Sequence, residues 1–260
     1  QVLLNDSLKI LVGLYSTLKE IDKPVLFKKI KKIIDEYELS DSTINGYDFY
    51  GCNSSDGLGL YNKSGYMRLR NDFNNIEERD YNYYIKFYVL IVYAFNNQIR
   101  FNSRGKFNLP VGKRDFNKKM QTKLDLFVDR IKEDKICLSN KDFRKMDTSA
   151  WNDKTFVYCD PPYLITCATY NEQDGWNEEL EKDLLNFLDQ LTDRGIKFAL
   201  SNVLRSKGKK NDILLNWINE NKKRYRVVNL NFDYSNSNYQ SKNKNKKTEE
   251  VLIMNYWRED

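Results

Sequence analysis

The stretch of this sequence that decides the fold is Thr155-Phe156-Val157-Tyr158-Cys159-Asp160-Pro161-Pro162-Tyr163. Its first half is apolar and rich in β-forming residues, which predicts a buried strand. The two prolines then end the strand, because proline cannot continue a hydrogen-bonded ladder. Asp160 is therefore expected at the carboxyl edge of a sheet, where open α/β sheets bind ligands. A carboxylate, backbone carbonyls and the Tyr163 ring together suit a planar group that carries an NH2.

Strands and helices alternate around this stretch, which predicts an α/β domain with a largely parallel sheet. Val2 to Asp6 is an apolar run closed by Asn-Asp, which predicts a strand, and leucine and isoleucine spacing from Leu8 to Leu18 predicts the helix after it. Further strands are predicted at 135–139, 196–200, 226–232 and 250–256, and further helices at 124–131, 178–191 and 211–221. The Asn-, Ser- and Lys-rich segment 233–247 is predicted to be a long exposed loop that either contacts phosphates or is simply solvated.

The character of the chain changes between about Asp22 and Phe116. This region contains a basic amphipathic helix near residues 26–34, a loop at 53–59 and a strongly apolar helix at 80–95. Residues 96–114 then combine Asn, Gln and Arg with interleaved aromatic residues. Such side chains contact base edges, grip phosphates and stack on bases. Composition alone supports an ordinary polar surface loop equally well.

Composition narrows the class of protein further. The 260 residues are 40% hydrophobic, which is enough for one large domain or a core with an insertion. The chain has no histidine, which argues against triad hydrolases and His-ligated metalloenzymes. Its formal charge of +6 permits polyanion binding. Four cysteines without metal-site spacing, and no apolar run long enough to span a bilayer, predict a cytoplasmic protein with neither metal nor membrane partner.

Three blocks, in this order along the chain, resemble the DNA adenine methylase (Dam) family of N6-adenine methyltransferases. They are Leu4-Asn5-Asp6, the segment Arg100 to Gly112, and the Asp-Pro-Pro-Tyr motif. Residues 66–74 resemble a further family segment that ends in Phe-Asn. The resemblance implies an α/β fold with a Rossmann-like S-adenosylmethionine-dependent methyltransferase sheet and an inserted, mainly helical target-recognition domain. Residues 1–22 and 120–260 would form the catalytic domain, and residues 23–119 the DNA target-recognition domain.

The family also has a Trp-x-Gly-Gly-Lys-like segment and a Gly-rich loop, which should precede Leu4. The sequence contains neither of them ahead of that residue. We therefore expect this chain to be the remainder of a longer protein that carries both.

The resemblance implies a site-specific methyltransferase that transfers a methyl group from S-adenosylmethionine to N6 of a flipped-out adenine in duplex DNA. Asp160 and the Pro161 carbonyl would accept hydrogen bonds from N6, and Tyr163 would stack on the base. No metal is required. Cofactor contacts would come from four residues: Asp6, Asp142, Phe143 and Asp160. For Asp6, a plain helix N-cap is an equally good interpretation of the residues alone.

DNA contacts are implied within the Asn- and Arg-rich segment. Arg100 matches the family position that is bidentate to guanine, and Phe95 would fill the space left by the flipped base. The full implied set is Phe95, Asn96, Arg100, Asn102, Arg104, Pro110 and Lys113. The match suggests a GATC-like site, although Asn97 and Gln98 differ from the better-known members. A restriction endonuclease sharing the site, and a location with the nucleoid, would follow.

Two other functions remain open. A related motif is used by methyltransferases that act on RNA or on a protein amide, although protein-glutamine methylation typically goes with Asn at the position of Asp160. The chain is alternatively a catalytically inactive, DNA-binding relative of the enzyme.

Overall fold

The computed structural model describes residues 1–166, 175–230 and 248–257, and the chain divides into two compact units, Gln1–Asp142 and Phe143–Asp260. Within the described ranges there are eight α-helices and seven β-strands, which confirms the predicted mixed α/β character. The predicted loop 233–247, the end of the predicted strand 226–232 and Cys167 lie outside these ranges. No helix in the described ranges has the length and apolar character needed to cross a bilayer.

The first unit contains two strands and six helices. They are β1 (Val2–Asn5), α1 (Lys9–Glu20), α2 (Lys23–Glu36), α3 (Ser42–Asn45), α4 (Gly59–Phe73), α5 (Tyr81–Tyr93), α6 (Lys118–Ile131) and β2 (Ile136–Ser139). The two strands pair in parallel, with Val2 opposite Ile136 and Asn5 opposite Ser139. Their carboxyl ends therefore lie at the same edge.

Helix α5 is the centre of this unit. Asp80 caps its first turn by accepting a hydrogen bond from the Tyr83 N–H at 2.8 Å. The helix is apolar on nearly every side, and Ile85, Phe87 and Leu90 are fully buried. Helices α1, α2 and α4 all contact it. A helix that is apolar on nearly every side is typically buried among other elements.

Helix α4 was not predicted, because its buried face does not carry the expected apolar spacing. Asn62 and Gly65 occupy that face. Asn62 is fully buried and accepts from the Ser40 N–H at 2.7 Å. A Cβ atom at Gly65 would lie 1.9 Å from the Tyr37 carbonyl oxygen, so only glycine allows the helix to approach so closely. A polar residue and a glycine thus replace two of the apolar residues that usually mark a helix.

The second unit contains five strands and two helices among its described residues. They are β3 (Phe156–Cys159), α7 (Glu178–Asp193), β4 (Lys197–Ser206), β5 (Lys209–Lys210), α8 (Asp212–Glu220), β6 (Arg226–Leu230) and β7 (Glu249–Met254). The strand order is β3-β4-β7-β6, and the short β5 pairs with β4. A core that includes Leu188, Phe198 and Ile253 is fully buried between the helices and this sheet.

The prediction of a largely parallel sheet is wrong for this unit. β3 and β4 are parallel, but β7 lies between β4 and β6 and runs antiparallel to both. The sequence predicts no helix between β6 and β7, and strands joined without a helical crossover pair antiparallel most readily. β4 also extends beyond its predicted end, because pairs such as Ser201 with Leu252 continue the ladder to β7.

Candidate functional site

The Asp-Pro-Pro-Tyr motif begins directly after β3, at the carboxyl end of the parallel pair β3–β4. The Tyr163 hydroxyl donates to Asp160 Oδ1 at 3.1 Å and lies 3.4 Å from Glu250 Oε1 on β7. Burial, followed by the charge of Asp160 and Glu250, raises the pKa of Tyr163 well above its usual value. The hydroxyl therefore stays protonated and acts as a donor that fixes one oxygen of Asp160.

Two acceptors of the motif remain available. Asp160 is exposed, and its Oδ2 oxygen accepts no hydrogen bond from any described residue. The Pro161 carbonyl likewise has no donor among them. An exposed carboxylate oxygen and a neighbouring carbonyl can accept both hydrogens of one amino group. Glu250 could not be identified from the sequence, because no sequence pattern pairs a β7 residue with the motif.

The carboxyl ends of β1 and β2 are held together by two asparagines. Asn5 accepts from the Lys141 N–H at 3.0 Å and donates to the Lys141 carbonyl at 2.9 Å. Asn140 donates to the carbonyls of Asp6 at 2.8 Å and Ser7 at 3.0 Å. These bonds extend the strand pairing past its last ladder residues. The sequence signal for this edge is an asparagine at the end of each strand: Asn5 is the last residue of β1, and Asn140 directly follows β2.

This arrangement puts two predicted cofactor residues on one edge. Asp6 follows β1, and Asp142 follows Lys141 directly. Asp6 Oδ1 accepts from the Leu8 N–H at 2.7 Å and closes the turn before α1, whose N-cap residue is Leu8 and not Asp6. The other Asp6 oxygen has no hydrogen-bond partner among the described residues. Burial, together with the Asp6 charge, raises the pKa of Tyr15.

The remaining predicted cofactor residues, Phe143 and Asp160, belong to the second unit. Phe143 is partly buried, with its ring centroid 6.0 Å from Trp176 and 6.1 Å from Phe187. The indole N–H of Trp176 in turn donates to the fully buried Glu181 carboxylate at 2.5 Å. Phe143 therefore has a packing role in the core of this unit, and its contact with a cofactor stays a prediction.

The Asn- and Arg-rich segment, which the sequence predicts as a loop, contains a hairpin at residues 100–108. Phe101 and Phe107 form an antiparallel bridge. At the tip, Gly105 has φ +69°, and Asn102 Oδ1 accepts from the N–H groups of Arg104 and Lys106, each at 3.0 Å. The predicted DNA contact Asn102 thus uses its side-chain oxygen to shape the turn. Its NH2 group and the exposed Arg104 are left at the surface.

One face of helix α4 forms hydrogen bonds with the backbone at the end of this hairpin. Tyr66, Arg70 and Asn74 are spaced four residues apart, so they lie above one another on the helix. The Tyr66 hydroxyl (3.1 Å) and Arg70 Nη1 (2.9 Å) both donate to the Leu109 carbonyl. Asn74 donates to the Phe107 carbonyl at 3.0 Å and accepts from the Phe107 N–H at 2.8 Å. We call these four bonds the α4 clamp, and they hold residues 107–109 in place.

A strained turn follows the buried helix α5. Asn96 and Asn97 both have left-handed backbones, with φ 53° and 52°, a conformation that residues other than glycine adopt infrequently. Asn97 stabilises the turn by donating to the last-turn carbonyls of Ile91 (3.1 Å) and Val92 (2.8 Å). Phe95 lies two residues after the last residue of the core helix and is 41% exposed. Backbone in sparsely populated conformations clusters at active sites and ligand-binding segments.

The other predicted DNA contacts lie close to this turn and hairpin. The Pro110 carbonyl accepts from the Phe95 N–H at 3.0 Å, so these two residues are brought together. Arg100 is exposed at the base of the hairpin. Lys113 donates to the Ser55 carbonyl at 3.2 Å and is thus engaged by the neighbouring loop. In the described part of the chain, no cluster of three or more Cys, Asp or Glu side chains could hold a metal ion.

Comparison with known proteins gives a family match over most of the chain. A family model described as "D12 class N6 adenine-specific DNA methyltransferase" matches residues 1–231. The match includes the β1–β2 edge, the 100–108 hairpin and the Asp-Pro-Pro-Tyr motif.

Several curated proteins are similar over large parts of the chain. The type II methyltransferase M.FokI of Planomicrobium okeanokoites is 32% identical over 251 residues, which cover 94% of this chain and 34% of that protein. The modification methylase LlaI of Lactococcus lactis subsp. lactis is 39% identical over 60% of this chain and 25% of its own length. The DNA adenine methylase of Escherichia coli (strain K12) is 27% identical over 53% of this chain and 49% of its own. The chain thus spans less than half the length of each of these relatives.

Proposed function

The chain belongs to the D12 class of N6 adenine-specific DNA methyltransferases, and we propose that it binds a specific duplex DNA site and methylates an adenine there at N6. The observation that carries this proposal is the geometry of the Asp-Pro-Pro-Tyr motif. Asp160 Oδ2 and the Pro161 carbonyl are adjacent acceptors at the carboxyl end of β3, and Tyr163 holds the other Asp160 oxygen. This set matches an amino group on a planar base.

In the proposed arrangement, residues 1–22 and 120–260 form a Rossmann-like catalytic domain, and residues 23–119 form the DNA target-recognition domain. The parallel pair β1–β2 supports this division, since α2 to α5 all lie in the chain between these strands. The division into compact units at Asp142 groups β1 and β2 with the helices by packing. The proposed domain bounds instead group residues by their expected roles in catalysis and DNA recognition, and they remain a prediction.

The adenine N6 atom is a weak nucleophile, because its lone pair is delocalised into the ring. The enzyme must therefore make this nitrogen more reactive. Asp160 and the Pro161 carbonyl would accept the two N6 hydrogens, which favours a pyramidal nitrogen and stabilises the positive charge that develops on it. Fixed groups of this kind are worth about 10²- to 10³-fold in rate. Tyr163 would stack on the base, which must first leave the duplex at a cost of a few kcal/mol. No described residue needs to act as a nucleophile.

The proposed cofactor is S-adenosylmethionine, which when bound would supply the methyl group from its sulfonium centre. The donor and acceptor chemistry of the β1 edge fits its ribose, because one Asp6 oxygen is held by Leu8 and the other is left to accept hydroxyl hydrogens. Asp142 and Phe143 would border the cofactor adenine. Asp160 would also lie near the amino acid group.

Recognition of DNA is proposed for the strained turn and the 100–108 hairpin. Arg100 would form two hydrogen bonds to a guanine edge, in a GATC-like site. Phe95 would enter the space left by the flipped adenine. Asn96 and Pro110 would contact neighbouring bases, and Asn102, Arg104 and Lys113 would contact the backbone, so binding should weaken steeply with salt. The names of the type II and modification methylase relatives support a partner restriction endonuclease for the same site, and the enzyme would act on DNA in the cytoplasm.

Substrate class is the direct test of this proposal. The full-length protein should be incubated with isotope-labelled S-adenosylmethionine and, separately, duplex DNA, RNA and protein, and the products should be digested and analysed. We expect label only in DNA and only as N6-methyladenine. Label in RNA or protein would favour the related methyltransferases that act on those substrates. Specific DNA binding without any methyl transfer would favour the inactive relative.

A further inference from the structure

We propose that Asn108 determines specificity together with Arg100. It would do so by binding one edge of the Arg100 guanidinium, so that the other edge faces the guanine. The inference rests on the proposed role of Arg100 as a guanine contact. It adds a residue that would not itself touch DNA but would decide how well Arg100 discriminates.

The contacts between the two residues use one specific edge of the guanidinium. Arg100 Nε donates to Asn108 Oδ1 at 2.8 Å, and Arg100 Nη2 donates to the Asn108 carbonyl at 3.0 Å. In return, the Asn108 N–H donates to the Arg100 carbonyl at 3.1 Å. Nε and Nη2 form the side edge of the planar group, and Asn108 accepts from both.

The end edge of the guanidinium is left over. Arginine has five N–H donors in a fixed fork. With two of them on Asn108, both hydrogens of Nη1 and one of Nη2 remain, and no described residue accepts from them. A guanine presents the O6 and N7 acceptors side by side in the major groove, and a bidentate arginine matches them. The end edge of Arg100 is therefore the one available for that contact.

Asn108 can orient Arg100 because its own backbone is fixed. Its neighbours Phe107 and Leu109 are 1% and 2% exposed, and the α4 clamp binds the backbone of both. Helix α4 thus fixes the backbone of residues 107–109, and Asn108 in this backbone fixes the Arg100 side chain. Holding a long side chain in its binding rotamer saves the entropy of ordering it when DNA binds, which corresponds to about 2- to 12-fold in affinity for the correct base.

The test uses two variants of nearly equal shape in the full-length enzyme. Asn108→Leu removes the side-chain acceptor, whereas Asn108→Asp keeps an oxygen for Arg100 Nε. Arg100→Ala and the double variant Arg100→Ala/Asn108→Leu complete a cycle. Each is expressed in a host that lacks adenine methylation, and methylated sites are counted by sequencing that detects N6-methyladenine. The quantity compared is the ratio of methylation at the cognate site to methylation at sites altered at a single base pair.

Arg100→Ala first identifies the base pair that Arg100 recognises, as the one where discrimination is lost. We expect Asn108→Leu to lower discrimination about 2- to 12-fold at that base pair only. Asn108→Asp should keep the wild-type ratio even if its added charge lowers overall activity. The double variant should be no less specific than Arg100→Ala alone, because Asn108 acts through the arginine.

Three results would overturn the inference and leave the proposed function intact. They are wild-type discrimination in Asn108→Leu, an equal loss at every base pair, and a loss in Asn108→Asp as large as in Asn108→Leu. The proposed function would fail in a different way. Absence of N6-methyladenine with the wild-type enzyme would reject the proposed activity. Unchanged discrimination in Arg100→Ala would reject the role of Arg100 as a guanine contact. Either result would also reject the inference.

Discussion

Replacing Asn74 with alanine should loosen the 100–108 hairpin, because Asn74 makes two of the four bonds of the α4 clamp. Its side chain satisfies both the N–H and the carbonyl of Phe107, a residue that is 1% exposed. Each buried backbone group left without a partner costs about 1–3 kcal/mol. Asn74 itself is partly exposed, so water can reach part of the space that it vacates. We therefore expect Asn74→Ala to lower the free energy of unfolding by about 2–4 kcal/mol, in the lower half of the range for two groups.

The assay can separate the two units, since all four tryptophans lie beyond residue 142. Hydrogen exchange of residues 100–112 should speed up in Asn74→Ala, and the urea midpoint measured by far-UV circular dichroism should fall. Tryptophan fluorescence gives an internal reference for the second unit. Asn74→Asp is the matched control, because it keeps the acceptor for the Phe107 N–H and should lose about half as much. Unchanged exchange in residues 100–112 and an unchanged midpoint would refute the clamp.

The other predictions concern single titratable or aromatic side chains. Tyr163→Phe should bind a flipped base nearly as well as the wild type, whereas Tyr163→Ala should lose about 1–3 kcal/mol of stacking; equal 2-aminopurine titrations for the two variants would contradict stacking. Burial raises the pKa of Asp115, so the folded chain holds its proton more tightly than the unfolded chain does. The free energy of unfolding should therefore rise as the pH falls through that raised pKa, and Asp115→Asn should lack this rise when urea midpoints are measured between about pH 4 and 8. Parallel plots of urea midpoint against pH for the two proteins would contradict it. Burial raises the pKa of the Cys159 thiol to about 12, so iodoacetamide should label Cys52 long before Cys159, and the reverse order would be inconsistent with that burial.

The parts of the fold that follow simple periodic patterns could be predicted from the sequence. The central helix α5 has a cap residue at Asp80 and a long apolar run that ends at Tyr93. The strand β3 ends before the prolines as predicted, but the prediction that it is buried is wrong, because Phe156 and Tyr158 are exposed. Helix α4 could not be predicted, because its buried Asn62 and Gly65 are explained only by Ser40 and Tyr37, which are distant in sequence. The antiparallel position of β7 likewise depends on which strand edge is free after β4 has paired with β3, and local pattern does not contain that information.

In the candidate site, too, some residues could be predicted from the sequence and others could not. Motif residues such as Asp160 and Arg100 are recognisable because their neighbours in sequence form the motif. Contacts between residues that are distant in sequence become visible only in three dimensions. Glu250 reaches Tyr163 from another strand, and Asn108 reaches Arg100 across a hairpin. Glu250 is an ordinary acidic residue in the sequence. Asn108 lies within the segment Arg100 to Gly112 that resembles the family, but only the fold shows that its side chain contacts Arg100.

The measurement that tests the central claim most directly is methyl transfer by Asp160→Ala alongside its affinity for DNA. The carboxylate of Asp160 is exposed and makes one hydrogen bond among the described residues, to Tyr163, so its loss should not unfold the protein. In the full-length enzyme we expect the yield of N6-methyladenine from duplex DNA to fall by at least about 100-fold. The dissociation constant for the same DNA should stay close to the wild-type value. Methyl transfer that survives in Asp160→Ala would contradict the account, because the developing charge on N6 would then be stabilised elsewhere.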